Sequence, residues 1–242
     1  MGKRSATHHP PALRHSRLAP LPALVLARRS RGNPAPPPPK AGVAPRTATK
    51  APGHPDILSP RLILRLMTGD IVNACLAPDL PRAEALLGAH IPPELLDHAA
   101  SLHWAKTRLD EDPAYQPWSA RALIFPAIQT MIGHLRFHAR PDAPDLHPYA
   151  RNAVEFGYTV LPAHRRHGYA TEAAAAAMRW ATATAGVTAF ILTIAPHNTP
   201  SLALATRLGF RRVGRQIDEI DGIEAVYLRE APALPRLVSL PS

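Results

Sequence analysis

"HRRHGYATEAAAAAMRWA", residues His164 to Ala181, sets two arginines and a glycine in front of a helix built almost wholly of alanine. The segment before it, "AVEFGYTVL" (153–161), alternates as a strand does. Val154, Phe156, Tyr158 and Val160 point one way, and Ala153, Glu155, Gly157 and Thr159 point the other. Pro162 ends the ladder because it has no N–H to donate. A chain that passes from this strand through "HRRHG" into a helix near Tyr169 leaves the first helical N–H groups without intrahelical acceptors. Those groups and the helix dipole attract an anion. Gly168 lets the backbone turn and lets a phosphate approach with no Cβ in the way. Arg165 and Arg166 add charge, Thr171 adds a hydroxyl, and the alanines let the helix lie close on a sheet at small entropic cost. The stretch reads as a pyrophosphate cradle, with an ordinary strand-to-helix turn as the plainer alternative.

Working outward, "TAFILTI" (188–194) is a fully apolar strand separated from the previous one by a helix of about 17 residues, as a parallel crossover requires. "APHNTPSLALATRLGFRRVG" (195–214) predicts a helix capped by Thr199, with Pro200 at its first position, Leu204 and Leu208 on one face and Gly209 past its end. Phe210, Val213 and Ile217 lead to a last pair of strands, joined by a turn at Asp221 and Gly222 and ending in "EAVYLRE". Upstream, Leu62, Leu64 and Leu66 mark a first strand, and helical spacing runs from Asp70 to Ala77 and from Pro93 to Arg108. "ARALIFPA" and "MIGHLRFHA" read as two strands, and residues 140–152 as a loop. The small face of the 153–161 strand, all Ala, Gly and Thr around one carboxylate, predicts that something lies against it.

Charge divides the chain. Residues 1–55 hold ten Lys or Arg and no Asp or Glu, together with twelve of the 29 prolines. The remaining 18 basic residues balance 18 acidic ones, so the whole net charge of +10 belongs to that segment. Residues 1–55 therefore read as a disordered, basic, Pro-rich tail, 56–235 as one domain, and 236–242 as a short C-terminal tail. The basic tail lacks the interleaved aromatics that stack on bases, which excludes specific nucleic-acid binding. "LAPLPALVLA" is too short and too rich in proline for a membrane span or an export signal, and "MGKRSA" misses the myristoylation pattern at position 6. The single cysteine, Cys75, allows no internal disulfide and fits a cytoplasmic location.

Strand, R-x-x-G-x-A, helix, strand, then N-x-x-S with a following L-G-F, here "EFGYTVLPAHRRHGYATEA" and "NTPSLALATRLGF", resembles the GCN5-related N-acetyltransferases (GNAT). Within that family the sequence is most similar to the branch containing ribosomal-protein N-terminal acetyltransferases, over roughly residues 58–230. The resemblance implies an α/β (α+β) fold: a single domain with a mixed, centrally splayed sheet flanked by helices. It implies acetyl-CoA as co-substrate and no metal. Carried over to this chain, the loop Arg165, Arg166, His167, Gly168, Tyr169 and Ala170, with Thr171, would hold the pyrophosphate. The backbone at Val160 and Leu161 would pair with the pantetheine arm, and Asn198 would touch the same arm. The family transfers acetyl directly to an amine without an acyl-enzyme.

A primary amine is largely protonated at neutral pH, so the reaction needs a proton acceptor. Glu155 matches the family's base position. The departing thiolate needs a proton. Ala205 stands where many family members have a tyrosine, which leaves Ser201 as the substitute acid. His134 and His138 would sit together as metal ligands on a helix, but their segment reads as a strand with no third ligand at matching spacing, so both are taken as lining or surface residues. Trp104 and Trp180 read as core. The acceptor is the amine of a protein N-terminus, a peptide or a small molecule, and the oligomeric state is open, a homodimer included. Two further readings compete with the enzyme: a non-catalytic acyl-CoA sensor, and a nucleotide-binding or nucleic-acid-associated protein working through the cradle and basic tail, against which stands the absence of a full G-x-G-x-x-G after a strand.

Overall fold

The computed structural model describes residues 54–218 and 222–231. The expected basic tail lies outside them except for His54 and Pro55, as do the C-terminal tail and Asp221 of the expected turn. Eight strands form one sheet: β1 Ile57–Leu58, β2 Ile63–Leu66, β3 Arg121–Phe125, β4 Thr130–Phe137, β5 Ala153–Val160, β6 Ala189–Ile194, β7 Arg211–Asp218 and β8 Gly222–Glu230. Their spatial order is β1-β2-β3-β4-β5-β6-β8-β7. Among the described strands only β5 and β6 are parallel neighbours, apart from an isolated parallel bridge from His90 to Thr130 of β4; the other neighbours are antiparallel.

Helices α4 (Tyr169–Ala185) and α5 (Thr199–Arg207) cover the sheet face formed by Leu123, Leu135, Phe137, Val154, Phe156 and Phe190. Ala173, Ala174, Ala176, Ala177 and Ala181 are all buried there, so the small side chains do bring α4 close to the strands. On the opposite face, α1 (Gly69–Leu76), α2 (Leu80–Leu87) and α3 (Ala99–Glu111) pack through Ile71, Val72, Leu87 and Leu102 onto Ala122, Ile124 and Met131.

Three local readings need correction. The expected helix from Pro93 is two pieces: a 3₁₀ segment at Pro93–His98, entered by an i→i+3 bond from the Leu95 N–H to the Pro92 carbonyl, and then α3. Helix α2 is an addition; Asp79 caps it by accepting from the Arg82 N–H at 3.2 Å, and Gly88 at φ 69° ends it. In α5 the cap is Asn198, not Thr199, because the Asn198 carboxamide accepts from the Ser201 N–H at 3.2 Å.

The central feature is a wedge. β5 and β6 are in register only at Ala153↔Ala189, Val154↔Phe190 and Glu155↔Ile191. Beyond that point β5 stays with β4 as far as Gly133↔Val160, while β6 stays with β8 as far as Ile194↔Ala225. Gly133 is what lets β4 and β5 run so close at the open end, since a Cβ there would lie 2.1 Å from the Thr159 carbonyl oxygen.

Candidate active site

The mouth of α4 opens directly beyond the end of β5. Pro162–His164 makes one 3₁₀ turn in which the His164 N–H donates to the Leu161 carbonyl (2.9 Å) and the Arg165 N–H to the Pro162 carbonyl (3.3 Å). The chain then takes left-handed backbone at Arg166 (φ 66°) and at Gly168 (φ 81°), and the Glu172 N–H donates to the Gly168 carbonyl at 3.0 Å. Between these bonds, the backbone amides of Arg166, His167, Gly168, Tyr169, Ala170 and Thr171 have no acceptor among the described residues. The Arg165 side chain folds back and its Nε donates to the Val160 carbonyl at 2.8 Å. His167 stacks on Tyr169 with ring centroids 5.7 Å apart, its Nδ1 2.7 Å from the Arg165 carbonyl. Burial, with the neighbouring His167 behind it, holds His164 below the usual histidine range.

Sequence reading missed a third arginine at this mouth. Arg61, from the β1–β2 connection, lies with its Cζ 4.6 Å over the Tyr169 ring. Its backbone N–H and its Nε both donate to the Glu172 carboxylate at 2.7 Å, and the Ser59 hydroxyl donates there too at 2.8 Å. Burial pushes the Glu172 carboxyl up, but these hydrogen bonds and the Arg61 charge outweigh it and hold the group below the usual carboxylate range. No local spacing could have signalled a contact 111 residues apart.

A side-chain bond crosses the wedge on each face. On the face away from α4, Glu155 is 3% exposed at the last paired position, and its Oε1 accepts from the Thr193 hydroxyl at 2.5 Å. His138 Nδ1 stands 3.4 Å from the same oxygen. The His138 ring lies over Gly157, its Nε2 3.1 Å from where a Cβ would be, so the expected neighbour of the small face is a histidine. His134 is buried, which leaves the lining half of the expectation and removes the surface half; its Nε2 is 3.4 Å from the Ser101 hydroxyl. On the α4 face, the Tyr158 hydroxyl donates to the Ser201 Oγ at 3.1 Å, from the strand to the first turn of α5. Burial raises the Tyr158 pKa against the opposing bond to Ser201. Ala205 is fully buried in the core, where it offers no acid.

Register also decides which backbone faces the gap. The Leu161 N–H donates to the Ile132 carbonyl and the Glu155 carbonyl accepts from the His138 N–H, so the odd-numbered β5 residues bond to β4. Tyr158 and Val160 therefore turn their N–H and C=O groups toward the gap, with the Val160 carbonyl engaged by Arg165. Leu161 does not belong with them, since its N–H and its carbonyl are both bonded within the protein. Among the described residues no three His, Cys, Asp or Glu side chains cluster as a metal site, and no helix is long and apolar enough to cross a membrane.

This arrangement coincides with a match of residues 61–211 to the acetyltransferase (GNAT) domain family. The chain belongs to the GNAT acetyltransferase family. It is thereby an N-acetyltransferase, with acetyl-CoA as acetyl donor. No curated protein matches the sequence. Among solved structures, the GNAT domain is similar to a GNAT-family acetyltransferase from Bordetella pertussis at 24% identity, covering 73% of this chain and 99% of that one with a TM-score of 0.52. It is similar to the ribosomal-protein-S5-alanine acetyltransferase from Vibrio fischeri at 14% identity, covering 73% and 96% with a TM-score of 0.51. RimL, a ribosomal L7/L12 alpha-N-protein acetyltransferase solved with coenzyme A, matches at 18% identity over 73% and 98%, with a TM-score of 0.50. At these identities the likeness is one of fold.

Proposed function

We propose that the wedge and the α4 mouth are the donor site, and that the chain moves an acetyl group directly from acetyl-CoA to the primary amine of a protein N-terminus, a peptide or a small molecule. The observation that carries this is the pairing of an unpaired strand edge and free helix amides with two side-chain bridges, Glu155–Thr193 and Tyr158–Ser201, on opposite faces of one gap. Acetyl-CoA, when bound, supplies a thioester carbonyl for the amine to attack. The residues present fit it. The amides of 166–171, with Arg165, Arg166 and Arg61 around them, suit the pyrophosphate. The Tyr158 and Val160 backbone suits an amide-bearing arm laid in as an added strand, and Asn198 stands at the start of α5 beside it.

In the transfer, the C–N bond forms as the C–S bond breaks. Glu155 takes the amine proton, directly or through one water, and Thr193 and His138 hold its carboxylate in place. Ser201 gives a proton to the departing sulfur and draws on the Tyr158 hydroxyl behind it. A base and an acid on opposite faces suit this chemistry, because the amine arrives on one side of the thioester and the sulfur leaves on the other. Glu155→Gln is the test. An enzyme of this kind loses about 10²- to 10⁴-fold in kcat while acetyl-CoA affinity holds. A sensor has no turnover to lose, so absence of thiol release from wild type across an amine panel would leave that reading instead.

A further inference from the structure

Two arginines are buried in this sheet, and they differ in how they are satisfied. Arg121 on β3, 1% exposed, donates from Nη1 to the carbonyls of Pro55 (3.5 Å) and Leu64 (3.4 Å) and from Nη2 to that of Pro117 (3.2 Å), and stacks 4.6 Å over the Trp180 ring. It ties the start of the domain to the sheet, with only its Nε buried without a partner. Arg136 on β4 is 6% exposed and stacks 4.2 Å over the Trp104 ring, but its side chain makes no hydrogen bond to any described residue, and its Nη1 is wholly buried without a partner. Stacking on an indole accounts for the place of the guanidinium. It does not satisfy five N–H donors or a desolvated charge.

The surroundings of Arg136 point to what would satisfy it. It lies in register with Gly157, two residues along β5 from Glu155, and burial lowers its pKa against the opposing influence of Tyr115 and then Glu155. Glu155, His138 and Arg136 thus share the face of the sheet opposite α4, under Trp104, whose ring also meets His138 edge-on at 5.8 Å. An amine brought to Glu155 is therefore beside a guanidinium whose Nη1 has no hydrogen-bond partner. A guanidinium pairs with a carboxylate through two parallel hydrogen bonds, a geometry that neither a backbone amide nor a hydroxyl reproduces.

We propose that Arg136 is a carboxylate receptor and that the acceptor carries a carboxylate close to the amine it loses a proton from, as a free amino acid does, or a peptide beginning with Asp or Glu. This rests on the reading of Glu155 as the base. A peptide with a neutral first residue has turned its α-carboxylate into an amide and leaves the guanidinium unpaired. A site built around a hydrogen-bonding group rejects analogues that lack the group by large factors, which sets the scale of the expected preference.

The test measures acetyl-CoA-dependent thiol release with matched pairs: free α-amino acids, β-alanine and 4-aminobutyrate, each against its primary amide. Peptide amides beginning with Asp or Glu are run against those beginning with Ala or Ser. Free acids are expected to exceed their amides by roughly 100-fold or more in kcat/KM, and Arg136→Gln to reduce that ratio to within about fivefold. Preference confined to peptides with an acidic first residue upholds the carboxylate receptor and assigns its ligand to a peptide. Thermal stabilisation of the wild type by the free acids but not by their amides, with coenzyme A present, gives the same answer without the variant, so a misfolded Arg136→Gln leaves the result intact. Amides and neutral-start peptides used as well as the acids overturn the receptor; the base reading survives that outcome if Glu155→Gln still slows them. Absence of thiol release with every amine overturns both.

Discussion

Gly168 and Gly186 stand at the two ends of α4 and make a matched pair. Both have left-handed backbone, φ 81° and φ 63°. A Cβ on Gly186 would meet nothing within 4 Å, and one on Gly168 only the Arg61 Nη2 at 3.5 Å, an ordinary contact. Alanine at either site therefore carries the same penalty, the left-handed backbone cost of roughly 1–2 kcal/mol. For a domain of this size that is a fall in Tm of about 2–8 °C. The two should be alike by urea or thermal unfolding without ligand. They should differ in binding. Gly168 lies within the run of free amides at 166–171, and its methyl would face the Arg61 guanidinium beside them, whereas Gly186 lies at the other end of a 17-residue helix. By calorimetric titration, Gly168→Ala is expected to weaken acetyl-CoA at least tenfold, about 1.4 kcal/mol, and Gly186→Ala to leave it unchanged. Equal affinity in the two variants at equal stability would refute the assignment of the α4 mouth as the phosphate seat.

Other perturbations separate other parts of the argument. Gly133→Ala forces a Cβ to 2.1 Å from a backbone oxygen and should cost about 1–3 kcal/mol or more by urea unfolding, while Gly69→Ala, with nothing within 4 Å and no positive φ, should be neutral or stabilising. Tyr158→Phe and Ser201→Ala should each lower kcat with little change in acetyl-CoA affinity, and their double variant should fall less than the product of the two, since they act as one chain of donors. Because burial raises Tyr158 from 10.0, the midpoint of its titration in a pH–rate profile should lie above pH 10. Glu172→Gln should lower stability at pH 7 by about 1 kcal/mol. The folded-state pKa of Glu172 is depressed, so its contribution is present above the ordinary value of 4.5 and is lost as pH falls through the folded value; the gap between wild type and variant should close on acidification below that point.

What the sequence made legible is the run from β5 through α5, and the reason is local. Pro162 stops a strand, Gly168 and Gly186 bracket a helix, and "TAFILTI" is apolar throughout, so each boundary is written within a few residues of itself. Helix α2 was not legible because Leu-Pro at its start and a short Leu-rich span offer little periodicity, and its cap at Asp79 follows directly on the end of α1. The site's other partners escaped for a different reason. His138 meets Glu155, Arg136 meets Gly157 and Tyr158 meets Ser201 through strand register or across the open gap, and register is set by the whole sheet. Tyr158 shows the limit well. Its place in the strand was read correctly, yet its hydroxyl bonds to Ser201 from a face assigned to the core.

The parts of the site have a common origin in topology. In a sheet otherwise antiparallel, β5 and β6 form the one parallel pair, and a parallel pair requires a crossover. The crossover is α4, and its direction is forced: it must begin where β5 ends, so its unbonded amides face the end of that strand. The two strands are each fully engaged on their outer sides, β5 by β4 and β6 by β8, and each antiparallel half of the sheet carries its own twist. After three paired positions the halves diverge, which frees a strand edge beside those amides. Glu155 is the last residue before the divergence, so its carboxylate is held by Thr193 of the departing strand at the point where the gap begins. Unbonded amides, open edge and buried carboxylate are thus three consequences of a single parallel pairing, and a substitution that extended that pairing past Glu155 would remove the edge and the gap together while leaving every named side chain in the sequence.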